Sequence, residues 1–160
     1  MLLPRRRLLL AMPLALAACG FEPVYGTGGS GNRLQNQILV EPPDTRDSYI
    51  LVRELETRLG RPTVPVYALA LQLAILEEGL AIDRDDNTTR FNYLGSADYV
   101  MRDLGSGQVV ASGQVESFTG YSATDSTVAT LAAERAAQRR LMVILADQIV
   151  NRLYAVDLGG

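Results

Sequence analysis

Two stretches of this chain alternate bulky and small side chains with a period of two, and nothing else in the sequence restricts the fold as much. Only a strand sends successive side chains to opposite faces. In the first stretch Tyr67, Leu69, Leu71, Leu73 and Ile75 alternate with Ala68, Ala70, Gln72 and Ala74, which predicts a strand with one bulky and one small face. In the second, Thr89 to Arg102, one side carries Phe91, Tyr93, Ala97, Tyr99 and Met101, while Asn92, Ser96, Asp98 and Arg102 fall mostly on the other. Leu104-Gly105-Ser106-Gly107 then turns the chain into a last strand from Gln108 to about Thr119, closing a hairpin.

The flanking segments supply the remaining elements. Leu34 to Val40 ends in Ile38-Leu39-Val40 and stops at Pro42-Pro43, which reads as a first strand. Capping residues from Asp44 to Ser48 precede Tyr49 to Leu59, where Leu51, Leu55 and Leu59 recur every four residues. Glu54 and Arg58 can pair on the outside, and Gly60 stops the helix. A second helix follows Thr124, Asp125 and Ser126 and runs to about Ala155. The expected fold is α+β: a two-layer sandwich of a mixed four-stranded sheet, in the order βαβββα, covered by two helices of which the C-terminal one is long.

That last helix carries an apolar stripe of Met142, Leu145, Ala146, Ile149, Leu153 and Val156, but continuing it backwards meets Arg139, Gln138 and Arg135. Its amino-terminal half therefore cannot pack like the rest. At about 43 Å the helix also exceeds a ten-residue strand of about 33 Å, so part of it is expected to overhang. Leu141 and Ile144 lie off the stripe, beside Arg140, Asp147 and Gln148, and suit either a partner contact or burial in an irregular core.

The residue inventory excludes several chemistries. The chain has no histidine and one cysteine, so a Cys/His metal site, a Ser-His-Asp triad and an internal disulfide are impossible. No cofactor, metal or catalytic group is indicated. Glu77 and Glu78 are neighbours in a strand and point to opposite faces, so they cannot flank one substrate bond. Asp83-Arg84-Asp85-Asp86-Asn87 begins like a calcium loop, yet Thr88 and Leu94 stand where glycine and glutamate are required; a solvated turn is the better reading. Gly26, Gly28 and Gly31 satisfy a dinucleotide-binding spacing without a strand before or a capped helix after, which leaves a flexible tether.

The amino terminus has a processing layout. Arg5, Arg6 and Arg7 precede an apolar run from Leu8 to Ala18 that is too short to span a bilayer, contains Pro13 and ends in small residues. Leu16-Ala17-Ala18-Cys19 matches the lipobox of lipoprotein signal peptides, in which cleavage leaves an acylated cysteine at the new terminus. The expected organisation is a signal peptide at 1–18, a lipidated segment and tether at 19–32, and a single domain at 33–160. Removing the first 18 of 160 residues leaves 142, enough for one domain with a core. Three of the 15 basic residues leave with the leader, so 12 face 18 acidic ones, and this net −6 argues against nucleic acid as a partner. Buried acyl chains contribute about 0.8 kcal/mol per methylene, so two or three chains on Cys19 hold the protein to a membrane that it does not span.

Cys19-Gly20-Phe21-Glu22-Pro23-Val24-Tyr25-Gly26 resembles the C-G-F-x-P-x-Y-G opening of the LptE family of lipopolysaccharide-assembly lipoproteins, especially those of alphaproteobacteria. The resemblance implies a small outer-membrane lipoprotein that docks in a large β-barrel of the LptD type and helps it place lipopolysaccharide, with no bond chemistry of its own. Within the motif Phe21 and Tyr25 serve either as anchors near the membrane or as cover for the edge of the domain's core, and Pro23 stiffens the chain between them. Gly20, where an aspartate would favour inner-membrane retention, points to the outer membrane. Anionic headgroups would need cations, and arginine's planar fork suits phosphate. Arg135, Arg139 and Arg140 on the last helix are the first candidates, followed by Arg84 and Arg90 near a hairpin tip. The alternative from another class is an envelope lipoprotein acting as a structural tether or ligand carrier.

Overall fold

The computed structural model describes residues 33–82, 88–123 and 126–156. Its elements run β1 (Ile38–Val40), α1 (Arg46–Leu59), β2 (Tyr67–Ile82), β3 (Thr88–Asp103), β4 (Val109–Ser122) and α2 (Thr127–Tyr154). The sheet order is β1-β2-β3-β4, with β1 parallel to β2 and the other pairs antiparallel. This is the mixed four-stranded α+β arrangement that the alternation predicted.

Local chemistry sets each boundary. Thr45 caps α1 through a reciprocal box: its hydroxyl accepts from the Ser48 N–H at 3.1 Å, and the Ser48 hydroxyl accepts from the Thr45 N–H at 2.9 Å. The helix therefore begins at Arg46, a turn earlier than the leucine spacing alone suggests, and ends at Gly60 with φ 78°, in the region that favours glycine. Glu54 and Arg58 do pair, at 2.9 Å, and Arg58 also reaches Asp147 of α2 at 2.6 Å, tying the helices together. Burial lowers the pKa of Arg58, but hydrogen bonds and charge from Glu54 and Asp147 outweigh it and leave the guanidinium more firmly protonated than usual.

Two expectations need correction. The first strand is only Ile38–Val40; Leu34 is fully buried but sits in a helical turn, and Asn36 at φ 58° redirects the chain. The Asn36 N–H then donates to the Leu59 carbonyl at 2.7 Å, so the segment satisfies its backbone against the end of α1 rather than in the sheet. The overhang also rested on strands that were too short. β2 and β3 each have 16 residues, about 53 Å, so 28-residue α2 at about 42 Å does not outrun them.

Both helices lie on the face carrying the odd-numbered residues of β2 to β4. The core joins Leu51, Leu55 and Leu59 of α1 with Leu69, Ala97, Met101 and Val115 of the sheet and Leu141, Met142, Leu145, Ile149 and Leu153 of α2, all fully buried. Leu141 thus belongs to the core, where it packs over Gly95, while Ile144 is half-buried. Among the described residues no helix is long and apolar enough to cross a membrane.

Candidate functional site: a groove with an arginine rim

The buried residues of α2 begin only at Ala137, which bears out the uneven packing read from its stripe. The earlier turns meet the sheet through polar contacts instead. Tyr93, almost fully buried, donates to Glu134 at 3.1 Å and accepts from Gln138 at 3.4 Å. Its ring stacks on Tyr121 at 5.7 Å between centroids, Tyr121 stacks on Phe91 at 5.1 Å, and the Tyr121 hydroxyl donates to Glu77. Burial, reinforced by the nearby carboxylates, pushes both phenols well above the usual tyrosine range. These tyrosines stay protonated hydrogen-bond donors across physiological pH.

With its sheet-facing side occupied in this way, α2 turns its arginines outward. Arg135, Arg139 and Arg140 are all exposed. Arg139 and Arg140 stand at the rim of a groove of about 500 Å³ whose floor is Ala136, Val143 and Ile144 and whose far wall includes Glu54 of α1. Arg140 donates to the Gly120 carbonyl at 3.0 Å and is thereby held against the sheet edge. Arg135 and Arg139 form no ion pair among the described residues, and Glu54 is already engaged by Arg58. The groove therefore offers an apolar lining beside the unpaired Arg139, with Arg135 one turn earlier on the same helix, an arrangement suited to an amphiphile with an anionic head.

Not every residue singled out in the sequence joins this groove. Arg90 lies at an even position of β3, on the face away from the helices, so the sheet separates it from Arg139. Arg84 lies outside the described residues, as do Leu16, Ala17, Ala18, Cys19, Gly20, Phe21, Pro23, Tyr25 and Gly26. Among the described residues no cluster of metal-ligating side chains forms.

The sheet's uncovered face holds a feature that the sequence reading missed. Leu76, Leu94 and Phe118 are register partners on successive strands and form a straight apolar row, exposed by 58%, 37% and 65%. They line a depression of about 470 Å³ with Ala74, Ser96 and Glu116. The signal was present: these are bulky side chains at even positions, most of whose neighbours along the same strands are alanine or polar.

The described residues form a small α+β domain that carries an apolar groove edged by arginines and an exposed apolar row, both surfaces of a kind suited to binding. The family model described as LptE, lipopolysaccharide-assembly, matches residues 35–153, and the chain belongs to that family, which is non-enzymatic. A candidate lipoprotein from Caulobacter crescentus CB15 has a similar solved structure, with TM-score 0.64 at 25% identity, covering 78% of this chain and 92% of that one. Rare lipoprotein B from Shewanella oneidensis has TM-score 0.56 at 11% identity, covering 74% and 92%, and a minor lipoprotein from Acinetobacter baumannii has 0.54 at 17%, covering 75% and 91%. These last two show the shared fold. No match is found among curated proteins.

Proposed function

We propose that the chain is an outer-membrane lipoprotein, anchored through acyl chains on Cys19, that docks within a β-barrel translocon of the LptD type and handles lipopolysaccharide as it is inserted. The observation that carries this reading is family membership across residues 35–153, the whole sheet and nearly all of both helices. The groove on α2 supports a direct role with the lipid: Arg139 and Arg140 at its edge, with exposed Arg135 one turn earlier on the helix, supply guanidinium forks for phosphate, and Ala136, Val143 and Ile144 an apolar bed beside them. Phosphate held this way is released by salt, because exposed pairs are screened.

The test is binding of purified lipopolysaccharide to the full chain and to an Arg135→Glu/Arg139→Glu variant. Each exposed charge contact contributes up to about 1 kcal/mol, so reversing two predicts about a tenfold loss of affinity or more. Unchanged affinity with an unchanged melting curve would remove the groove as the lipid site.

A further inference from the structure

The two outer edges of the sheet are treated differently. On β4 two outward carbonyls are met by side chains of α2: Arg140 donates to the Gly120 carbonyl at 3.0 Å and Gln148 to the Glu116 carbonyl at 3.3 Å. On the opposite side β1 pairs with β2 only from Tyr67 to Leu69. There the Tyr67 N–H donates to Gln37 and the Leu69 carbonyl accepts from Glu41, so the odd residues of β2 present both backbone groups outward. By strand alternation Leu71, Leu73, Ile75 and Glu77 do the same, and nothing among the described residues pairs with them. The run stays regular up to Gly79, where the register with β3 first shifts.

Among the described residues this edge lacks the usual protection against strand addition. From Ala70 to Leu76 it contains no charge, no proline and no bulge. It is also apolar on both sides, with half-buried Leu71, Leu73 and Ile75 toward the helices and exposed Leu76 on the open face. Leu76 begins the row that continues through Leu94 and Phe118, so a strand added beside β2 would place a side chain directly in line with it. At the far end Glu78 is exposed and forms no ion pair among the described residues.

We propose that the open edge of β2, Leu71 to Glu77, is where the barrel protein adds an extended segment as a fifth strand of this sheet. The occupant is specified by chemistry: alternating apolar residues that extend the Leu76 row, and an arginine or lysine opposite Glu78. Main-chain hydrogen bonds supply the attraction, and the row and the carboxylate set the register. The inference rests on the docking reading above and adds the surface through which docking occurs.

Photo-crosslinking of the full lipidated chain in outer membranes tests it, with a photoreactive side chain in place of Gln72 beside the open edge or of Gln114 on β4. The expected result is a crosslink to the barrel protein from position 72 and none from 114. Ala74→Lys, on the exposed face, and Leu73→Pro, which removes one outward N–H and leaves the β3 ladder intact, should each lower recovery of the barrel about tenfold. Ala74→Lys keeps the test meaningful if the proline variant melts early. Barrel crosslinks from 114 and not from 72 would overturn the edge assignment and leave docking standing. A crosslink from 72 to this chain's own residues or to a second copy would overturn it as well. Failure to recover the barrel from any position would remove the docking reading itself.

Discussion

Helix and sheet approach each other closely at Gly95, and placing a methyl group there tests how α2 is seated. An ideal Cβ on Gly95 falls 2.9 Å from Leu141 Cδ2 and 3.2 Å from both Leu141 Cγ and Leu145 Cδ1. Both leucines are fully buried, so neither can swing into solvent, and densely packed interiors give way only slightly. Overpacking of this kind costs about 1–3 kcal/mol, while replacing glycine by alanine restricts the unfolded chain and returns about 0.4–1 kcal/mol, so Gly95→Ala should destabilise by about 0.5–2 kcal/mol. Leu141→Ala alone leaves a cavity and should cost about 2–5 kcal/mol. The two changes compensate, because the shortened side chain vacates the space that the new Cβ needs. The double variant should therefore be more stable than the summed single effects by about 1–2 kcal/mol in a denaturant-melt cycle. A cycle that closes to within about 0.3 kcal/mol, or a Gly95→Ala protein more stable than the parent, would refute this seating of α2.

Other consequences follow from the same contacts. In the unfolded chain Tyr93 and Tyr121 ionise near their ordinary value of about 10, whereas the fold holds both well above it. Their contribution is thus fully present below pH 10 and falls away as pH rises toward the folded values. Denaturant melts between pH 8 and 11 should show stability declining above pH 10, and Tyr93→Phe should flatten that decline; an equal slope in the variant would argue against the assignment. Thr45→Ala removes the cap of α1 and should cost about 1 kcal/mol by the same melts, with no change in lipopolysaccharide binding.

Much of the fold was legible because its physics is local. The period-two alternation of Tyr67 to Ile75 located β2, and the leucines at every fourth position located α1, since each pattern fits only one backbone geometry. The ends of elements were less legible, because distant contacts decide them. β2 runs on to Ile82 because β3 keeps pairing with it as far as Thr88, and Leu34 leaves the sheet where the Asn36 N–H turns to the Leu59 carbonyl. The same limit applied to the site. The arginines of α2 could be picked from the helical wheel, but that Arg140 is tied to Gly120 while Arg135 and Arg139 are not depends on the packing of α2 against β4. The row Leu76–Leu94–Phe118 needed a register that no single strand contains.

Depleting the protein from its native cells and locating lipopolysaccharide addresses the role in assembly most directly. An assembly lipoprotein predicts that lipopolysaccharide disappears from the cell surface and accumulates inside the envelope, and that wild-type protein restores its placement. Normal surface lipopolysaccharide after depletion, with altered mechanical strength of the envelope, would contradict that role and describe a structural tether instead.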